Sequence, residues 1–308
     1  MKARLTLGPL PFHWPAEQWR DFYFRIADEA PVDTVYLGEV VCAKRLPFHA
    51  PEHGEVIARL ERAGKEVVMS TLALVISPLD RKGTQSVIAT AGERMVEVND
   101  IGGIPLMEGC PHVIGPFVGV YNEGTLNEFL ARGAQRVCLS AELPAASVAQ
   151  LADVAASSLE VSVFGRQPLA ISARCYHARA RGRSKNNCEF VCGEEVDGLS
   201  VETLDRVPFV TVDGPLVMSH PYLCLVSELG ALKDAGVCWF RLSPHGTDMA
   251  AVASLYRRVL DGTETAETAI EKLRAMGFEA PLSNGGYYGE PGESWVAEGE
   301  AARPGGAA

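Results

Sequence analysis

The amino-acid sequence predicts an α/β fold: an irregular (β/α) barrel, TIM-barrel-like, with a cysteine-bearing insertion. Three observations predict it. Apolar runs of strand length alternate with segments of helical periodicity, and no succession of hairpins interrupts them, which is the pattern of a parallel sheet with crossover helices. Roughly eight such strands fall within about 260 residues, the size of a closed barrel of this kind. No Gly-x-Gly-x-x-Gly follows the first strand, which weakens the competing reading, a doubly wound open sheet that binds a dinucleotide.

The elements follow in order. RLTLGPL (4–10) is strand-like. Segment 16–30 repeats Trp19, Phe22, Phe24, Ile26 and Ala27 near helical spacing. DTVYLGEVV (33–41) is a strand. PEHGEVIARLERAG (51–64) opens on Pro, ends on Gly and sets Val56, Ile57 and Leu60 on one face, so it is a helix. KEVVMSTLAL (65–74) is the next strand. A helix within 80–97 precedes two short strands, GIPLME (103–108) and HVIGPFVGV (112–120). A helix at 124–133, a strand at 134–143, a helix at 144–157 and a long strand at 159–172 continue the rhythm. After a cysteine-rich segment come a strand run at 207–219, a helix within 224–236, a strand at 237–246, and helices at 247–262 and 266–277.

The chain has 308 residues, 47% hydrophobic and 22% charged, which is enough for a sizeable core without staples. One domain is expected over 1–298, with a small, polar, disordered tail at 299–308. The net charge of −11 argues against a nucleic-acid partner, because such affinity comes largely from Lys and Arg on phosphates. No secretory leader and no transmembrane segment is expected, so the expected compartment is the cytoplasm. There, eight cysteines read as metal ligands, reactive thiols or buried hydrophobes rather than disulfides.

Three of them, Cys175, Cys188 and Cys192, lie in the cationic segment ARCYHARARGRSKNNCEFVCGEE (173–195), spaced Cys-x12-Cys-x3-Cys. A four-thiolate site needs one more. Loops after barrel strands share one face, where active sites gather. Cys42 follows the strand at 33–41 and Cys175 the strand ending near Ser172, so both emerge on that face. Cys110, after a short strand, is a rival to Cys42. Cys138 lies mid-strand and reads as core, Cys238 begins a strand at the opposite end, and Cys224 sits in an apolar run. Four thiolates suit an iron–sulfur cluster or a zinc ion. The spacing is looser than a zinc ribbon and better suited to a cluster, whose charge the nearby Arg and Lys would offset. The Cys-x3-Cys-x2-Cys of S-adenosylmethionine radical chemistry is absent.

Four segments in order, VYLGEVVCAKR (35–45), GPFVGVYNEGT (115–125), LSAEL (139–143) and VFGRQPLAISARCYHAR…NNCEFVC (163–192), resemble the collagenase-like peptidase family from about residue 4 to about 295. Within that family they are most similar to a branch that carries a [4Fe–4S] cluster. The resemblance implies Cys42, Cys175, Cys188 and Cys192 as its ligands. It implies one subunit of an oxygen-independent hydroxylase system that acts on the aromatic ring of a ubiquinone precursor. A UbiU-like sister subunit would complete a heterodimer, a UbiT-like lipid-binding protein would serve the same pathway, and prephenate would donate the hydroxyl. Other family members are described as peptidases or RNA-base hydroxylases, and a zinc-stabilised binding subunit is the alternative of a different class.

No Gly-x-Ser-x-Gly and no His-Glu-x-x-His supports hydrolysis, and the sequence identifies no catalytic residue. His177, two residues from Cys175, reads either as a hydrogen-bond donor near a cluster sulfur or as an exposed loop histidine. His49 and His53 read as surface residues, and His245 as a residue of the active face or a cap of the next helix. Glu39 and Arg45, flanking Cys42, and Glu142 face a substrate or partner, or form structural ion pairs. Arg166 and Gln167 are expected to be buried with hydrogen-bond partners. The cationic run has Tyr176 alone among aromatics, which suits a solvated loop or an acidic partner better than base stacking.

Overall fold

The computed structural model describes residues 2–297, with twelve strands and ten α-helices among them. The strands are β1 (Arg4–Leu7), β2 (Thr34–Leu37), β3 (Glu66–Ser70), β4 (Val96–Val98), β5 (His112–Ile114), β6 (Ala134–Cys138), β7 (Leu159–Ile171), β8 (Leu199–Glu202), β9 (Pro208–Asp213), β10 (Leu216–Cys224), β11 (Trp239–Leu242) and β12 (Leu282–Ser283). The helices are α1 (Ala16–Glu29), α2 (Leu46–His49), α3 (His53–Arg62), α4 (Pro78–Thr90), α5 (Glu123–Ala131), α6 (Ala145–Ala155), α7 (Tyr176–Ala180), α8 (Leu229–Asp234), α9 (Met249–Leu260) and α10 (Ala266–Ala275). None of them is long and apolar enough to cross a membrane. The predicted tail, 299–308, lies outside the described residues.

β1 to β7 pair in succession, all parallel, and β11 closes the ring between β7 and β1. This is the expected eight-stranded (β/α) barrel. Side chains alternate along each strand. Leu5, Leu7, Val35, Leu37, Val67, Val161, Phe240 and Leu242 face outward and pack under the helices. The alternate residues fill the barrel, and here the fold departs from the usual layers of Val, Ile and Leu. Thr6, Tyr36, Ser70, Glu97, Arg136, Glu160 and Arg241 form a buried polar network. Glu97 accepts from Arg241 Nη1 at 2.6 Å, Ser70 Oγ at 2.7 Å and Asn99 Nδ2 at 3.0 Å. Glu160 accepts from Thr6 and from Tyr36 Oη at 2.6 Å, and lies 3.5 Å from Arg241 Nη1. Arg136 donates to Tyr36 Oη at 2.9 Å and to Glu66 at 3.0 Å, with its guanidinium over the Trp239 ring. Each buried charge thus meets an opposite charge and further hydrogen bonds, the condition under which burial is tolerable.

Three expectations are corrected. Segment 103–108 is not a strand: Asp100 accepts from Gly102 N and starts a 3-10 helix, Ile101–Met107. The strand before it is β4, whose apolar run is short and split by the inward Glu97. The run 207–219 is two strands, β9 and β10, antiparallel about a turn at Gly214–Pro215. With β8 they form an antiparallel meander, the hairpin succession that the sequence did not signal. The meander hangs on β7, whose first half lies in the barrel and whose second half leaves it to pair with β10, Phe164 opposite Cys224 and Ile171 opposite Leu216. Gly165 marks the departure, with a positive φ of 106° and with Ser243 so near that a Cβ would fall 2.7 Å from it.

Replacing Glu97 by Ala leaves the buried Arg241 guanidinium with one carboxylate, Glu160 at 3.5 Å, and without its 2.6 Å partner. The expected cost is about 3–5 kcal/mol of unfolding free energy, checked by urea titration followed by circular dichroism. A loss within about 0.5 kcal/mol, as for a surface change, would mean the network carries no such weight.

Candidate functional site

Cys42, Cys175, Cys188 and Cys192 line one pocket of about 330 Å³ beside the barrel's carboxyl-terminal mouth. Each is placed by its own local device. Glu39 accepts from Val41 N at 2.7 Å and from Cys42 N at 3.0 Å, which holds the loop after β2. Cys175 caps α7, its sulfur accepting from Ala178 N at 3.4 Å. Cys188 ends one 3-10 turn, Lys185–Asn187, and Cys192 sits within the next, Val191–Gly193. Between them Glu189 and Phe190 are both left-handed, with φ of 48° and 54°. Two successive non-glycine residues in that region are uncommon, and such outliers gather at functional sites. Here the kink turns Cys188 and Cys192 to the same pocket.

Cations line its wall. Lys44 Nζ lies 3.3 Å from Cys188 Sγ and donates to the Lys185 carbonyl at 2.9 Å. Arg45 is buried, paired with Asp213 of β9 at 2.7 Å, and donates to the Pro11 carbonyl at 3.0 Å. Burial opposes its charge, but Asp213 and Glu39 outweigh burial and hold the guanidinium charged. Its Nε and Nη2 have no partner. Burial pushes the Cys192 thiol up to about 11 and moves Cys42 upward as well. At Cys188 burial is overcome by the Phe190 N–H and by Lys44, which together lower it. The donor set fits a thiolate-ligated, negatively charged group: four sulfurs share the pocket, and two unpartnered guanidinium N–H groups stand at its edge. Among the described residues, no three His, Cys, Asp or Glu side chains stand close enough together to hold a single metal ion.

A second cavity, of about 500 Å³, occupies the barrel mouth itself. Arg166, Arg241, Ser243 and His245 supply its polar wall, and Pro116, Phe117, Leu216 and Met218 its apolar one. The two cavities adjoin across the same turns: Val40 and Leu216 line the mouth, Cys42 and Pro215 the cysteine pocket.

A family model, peptidase family U32, matches residues 18–296. The chain belongs to peptidase family U32. Among solved structures it resembles a chain of a tryptophan synthase complex from Pyrococcus furiosus, with 11% identity, a TM-score of 0.41, and coverage of 89% of this chain and 98% of that one. An uncharacterised B. cereus protein is similar at 12% identity and a TM-score of 0.33, covering 92% of this chain and 67% of that one. The barrel of this U32 protein is established by its strand pairing, not by these distant likenesses.

The structure brings all four expected cysteines of this U32 chain together. It leaves the rival Cys110 exposed, before β5 and so at the other end of the barrel, because the segment preceding it is not a strand. Cys138, Cys224 and Cys238 are buried away from the pocket, and all eight cysteines are free. His177 is not an exposed loop residue: it is fully buried, with Nε2 2.7 Å from Glu195 and Nδ1 3.9 Å from Asp213. His49 is not a surface residue but is buried and stacked on Trp19, and His53 packs on the same ring. His245 does not cap α9, a role Asp248 takes; its Nε2 accepts from Arg166 N at 3.0 Å. Glu39 and Arg45 are buried members of the ion-pair network rather than exposed partners, and exposed Tyr121 donates to Glu142. Arg166 and Gln167 are buried with partners, as expected. Arg181 and Arg183 pair with Glu195 and Glu189 of their own segment, so two of the five cations of the run are neutralised internally.

Sequence reasoning passed over Lys44, Asp213, Glu97, Glu160 and Arg241. A usable signal existed for three of these: MVEV, LEVSV and WFRL each set one charge at an alternate position of an apolar strand, and that position points into the barrel.

Burial holds the His245 pKa well below 6.5, and His13 and His53 down to about 4. Each therefore binds its proton more weakly folded than unfolded. As pH falls below about 6.5 the unfolded chain takes up protons first, and stability decreases. Urea midpoints at about pH 7.5 and about pH 5 are expected to differ, and His245→Gln, which keeps an acceptor for Arg166 N, is expected to narrow the difference. An unchanged difference would remove His245 from this linkage.

Proposed function

We propose that this U32 protein is a UbiV: the iron–sulfur subunit that, with a UbiU-like partner, supports oxygen-independent ring hydroxylation in ubiquinone biosynthesis. The observation that carries the reading is the shared pocket of Cys42, Cys175, Cys188 and Cys192, the four residues that the motif resemblance implies as ligands. Four thiolates on separate turns suit a [4Fe–4S] cluster, whose chemistry is one-electron transfer. The chain's own contribution is to hold and balance it. Glu39 fixes the Cys42 backbone, α7 fixes Cys175, and the left-handed pair Glu189–Phe190 sets the other two. Lys44 and Arg45 offset thiolate charge, and Asp213 keeps Arg45 in place. The reading puts the chain in the cytoplasm, where free thiols persist. It makes the chain one part of a hydroxylase, with a ubiquinone precursor as substrate, prephenate as hydroxyl donor and a UbiT-like lipid carrier as accessory.

The test is anaerobic purification with iron and acid-labile sulfide analysis. About four of each per chain, with broad visible absorption, are expected. A colourless protein holding about one zinc would sink the reading. Cys188→Ala is expected to lose iron while retaining the wild-type helical circular dichroism, since the ligand segment is outside the barrel. Full iron and sulfide in that variant would remove Cys188 from the ligand set.

A further inference from the structure

The cysteine pocket shares a wall with an open cleft of about 760 Å³. Cys42, Lys44 and Lys185 line both. Cys42 is half-buried, whereas Cys175, Cys188 and Cys192 are buried. A molecule seated in the cleft would therefore be one side chain away from the space that the four sulfurs enclose.

The cleft has an apolar floor. Ile76 and Leu79 line it, 48% and 52% exposed. The start of α4 fixes them there: Ser77 accepts from Asp80 N at 3.2 Å, and Asp80 accepts from Ser77 N at 2.9 Å and Ile76 N at 3.3 Å. Among the described residues of the wall the one acid is this Asp80, which is buried and spent on those bonds. The rim, by contrast, is cationic. Lys185 lines the cleft, exposed Arg174 follows Ala173 of the wall, and exposed Lys82 lies one turn along α4 from Leu79. None of the three makes a salt bridge among the described residues. Lys44 is not counted, since its Nζ is taken by the Lys185 carbonyl and Cys188 Sγ.

An apolar centre within a charged rim is the anatomy of a protein interface. The sign of the rim selects the partner. The chain as a whole carries a net charge of −11, so an acidic protein is repelled by most of the molecule and attracted at this cleft, which orients its approach.

We infer that the cleft is a docking site for a small acidic protein carrying a one-electron centre, seated on Ile76 and Leu79 and steered by Lys82, Arg174 and Lys185. That the partner is an electron carrier rests on the iron–sulfur function proposed above, because a one-electron partner is what such a cluster exchanges with.

The experiment is calorimetric titration of the anaerobically purified full chain with an acidic [2Fe–2S] ferredoxin. One is expected to bind per chain, about tenfold more weakly at about 300 mM than at about 50 mM salt. Lys82→Glu is expected to weaken binding about fivefold. Arg62→Glu makes the same change of charge at an exposed position at the carboxyl end of α3, which leads into β3 and so lies at the opposite end of the barrel; it is expected to leave binding unchanged. Leu79→Ser is expected to weaken binding about fivefold while keeping the salt dependence. A single-stranded oligonucleotide, which matches the charge but not the apolar floor, is expected to bind about tenfold more weakly than ferredoxin. Three results overturn the inference: no ferredoxin binding, an equal effect of Lys82→Glu and Arg62→Glu, or an oligonucleotide that binds as tightly as ferredoxin. Iron and sulfide are measured on the same sample. A cluster-loaded chain that does not bind ferredoxin ends the inference and leaves the proposed function standing, whereas a colourless chain ends both.

Discussion

Burying an arginine is costly unless its charge is met, and this fold meets it with carboxylates at Arg45, Arg136 and Arg241 and with backbone carbonyls at Arg166. The described residues include four buried arginines, Arg45, Arg136, Arg166 and Arg241. Removing a charge from water costs several kcal/mol, and only good geometry with further hydrogen bonds recovers it. Arg241 and Arg136 meet Glu97, Glu160, Glu66 and Tyr36, residues of six different barrel strands when Arg241's and Arg136's own are counted. The network therefore couples the strands through their interior, where an apolar barrel would rely on packing alone.

The same rule places the cysteine pocket. Arg45 follows β2 in the barrel, while Asp213 ends β9 in the meander. Their contact ties the inserted segment to the barrel loop, and it does so beside the point where Cys42 must face Cys175, Cys188 and Cys192. The long strand β7 performs the other half of this task. By leaving the barrel after Gly165 it carries the chain to the cysteine segment, and β10 brings it back. A pocket with one cysteine from a barrel loop and three from an insertion is thus held by one ion pair and one shared strand. Within the cationic segment, Arg181 and Arg183 meet acids of the same segment.

Much of this was legible in the chain. The alternation of strand and helix patterns located most barrel strands, because outward apolar residues and helix stripes are local and periodic. β4 escaped because its apolar run is three residues long and holds Glu97. The meander escaped because the strands flanking Gly214–Pro215 read as one extended run, and a turn of two residues leaves little mark on an apolar pattern. The histidines were misplaced for a different reason. His177 and His49 lie in polar-looking stretches, yet tertiary contacts with Glu195 and Trp19 bury them.

The sequence by itself determined the barrel class; it narrowed the fourth cysteine to Cys42 or Cys110, and the motif resemblance implied Cys42 with Cys175, Cys188 and Cys192. Periodicity is a local property, and the rule that loops after parallel strands share one face needs no coordinates. Only the tertiary structure decided what surrounds them. The pairing of Arg45 with Asp213 and the polar interior about Arg241 join residues 168 and 144 positions apart (213 − 45 and 241 − 97). A charge in a strand announces that it must be satisfied, but its partner is chosen by the closure of the barrel, which no local pattern encodes.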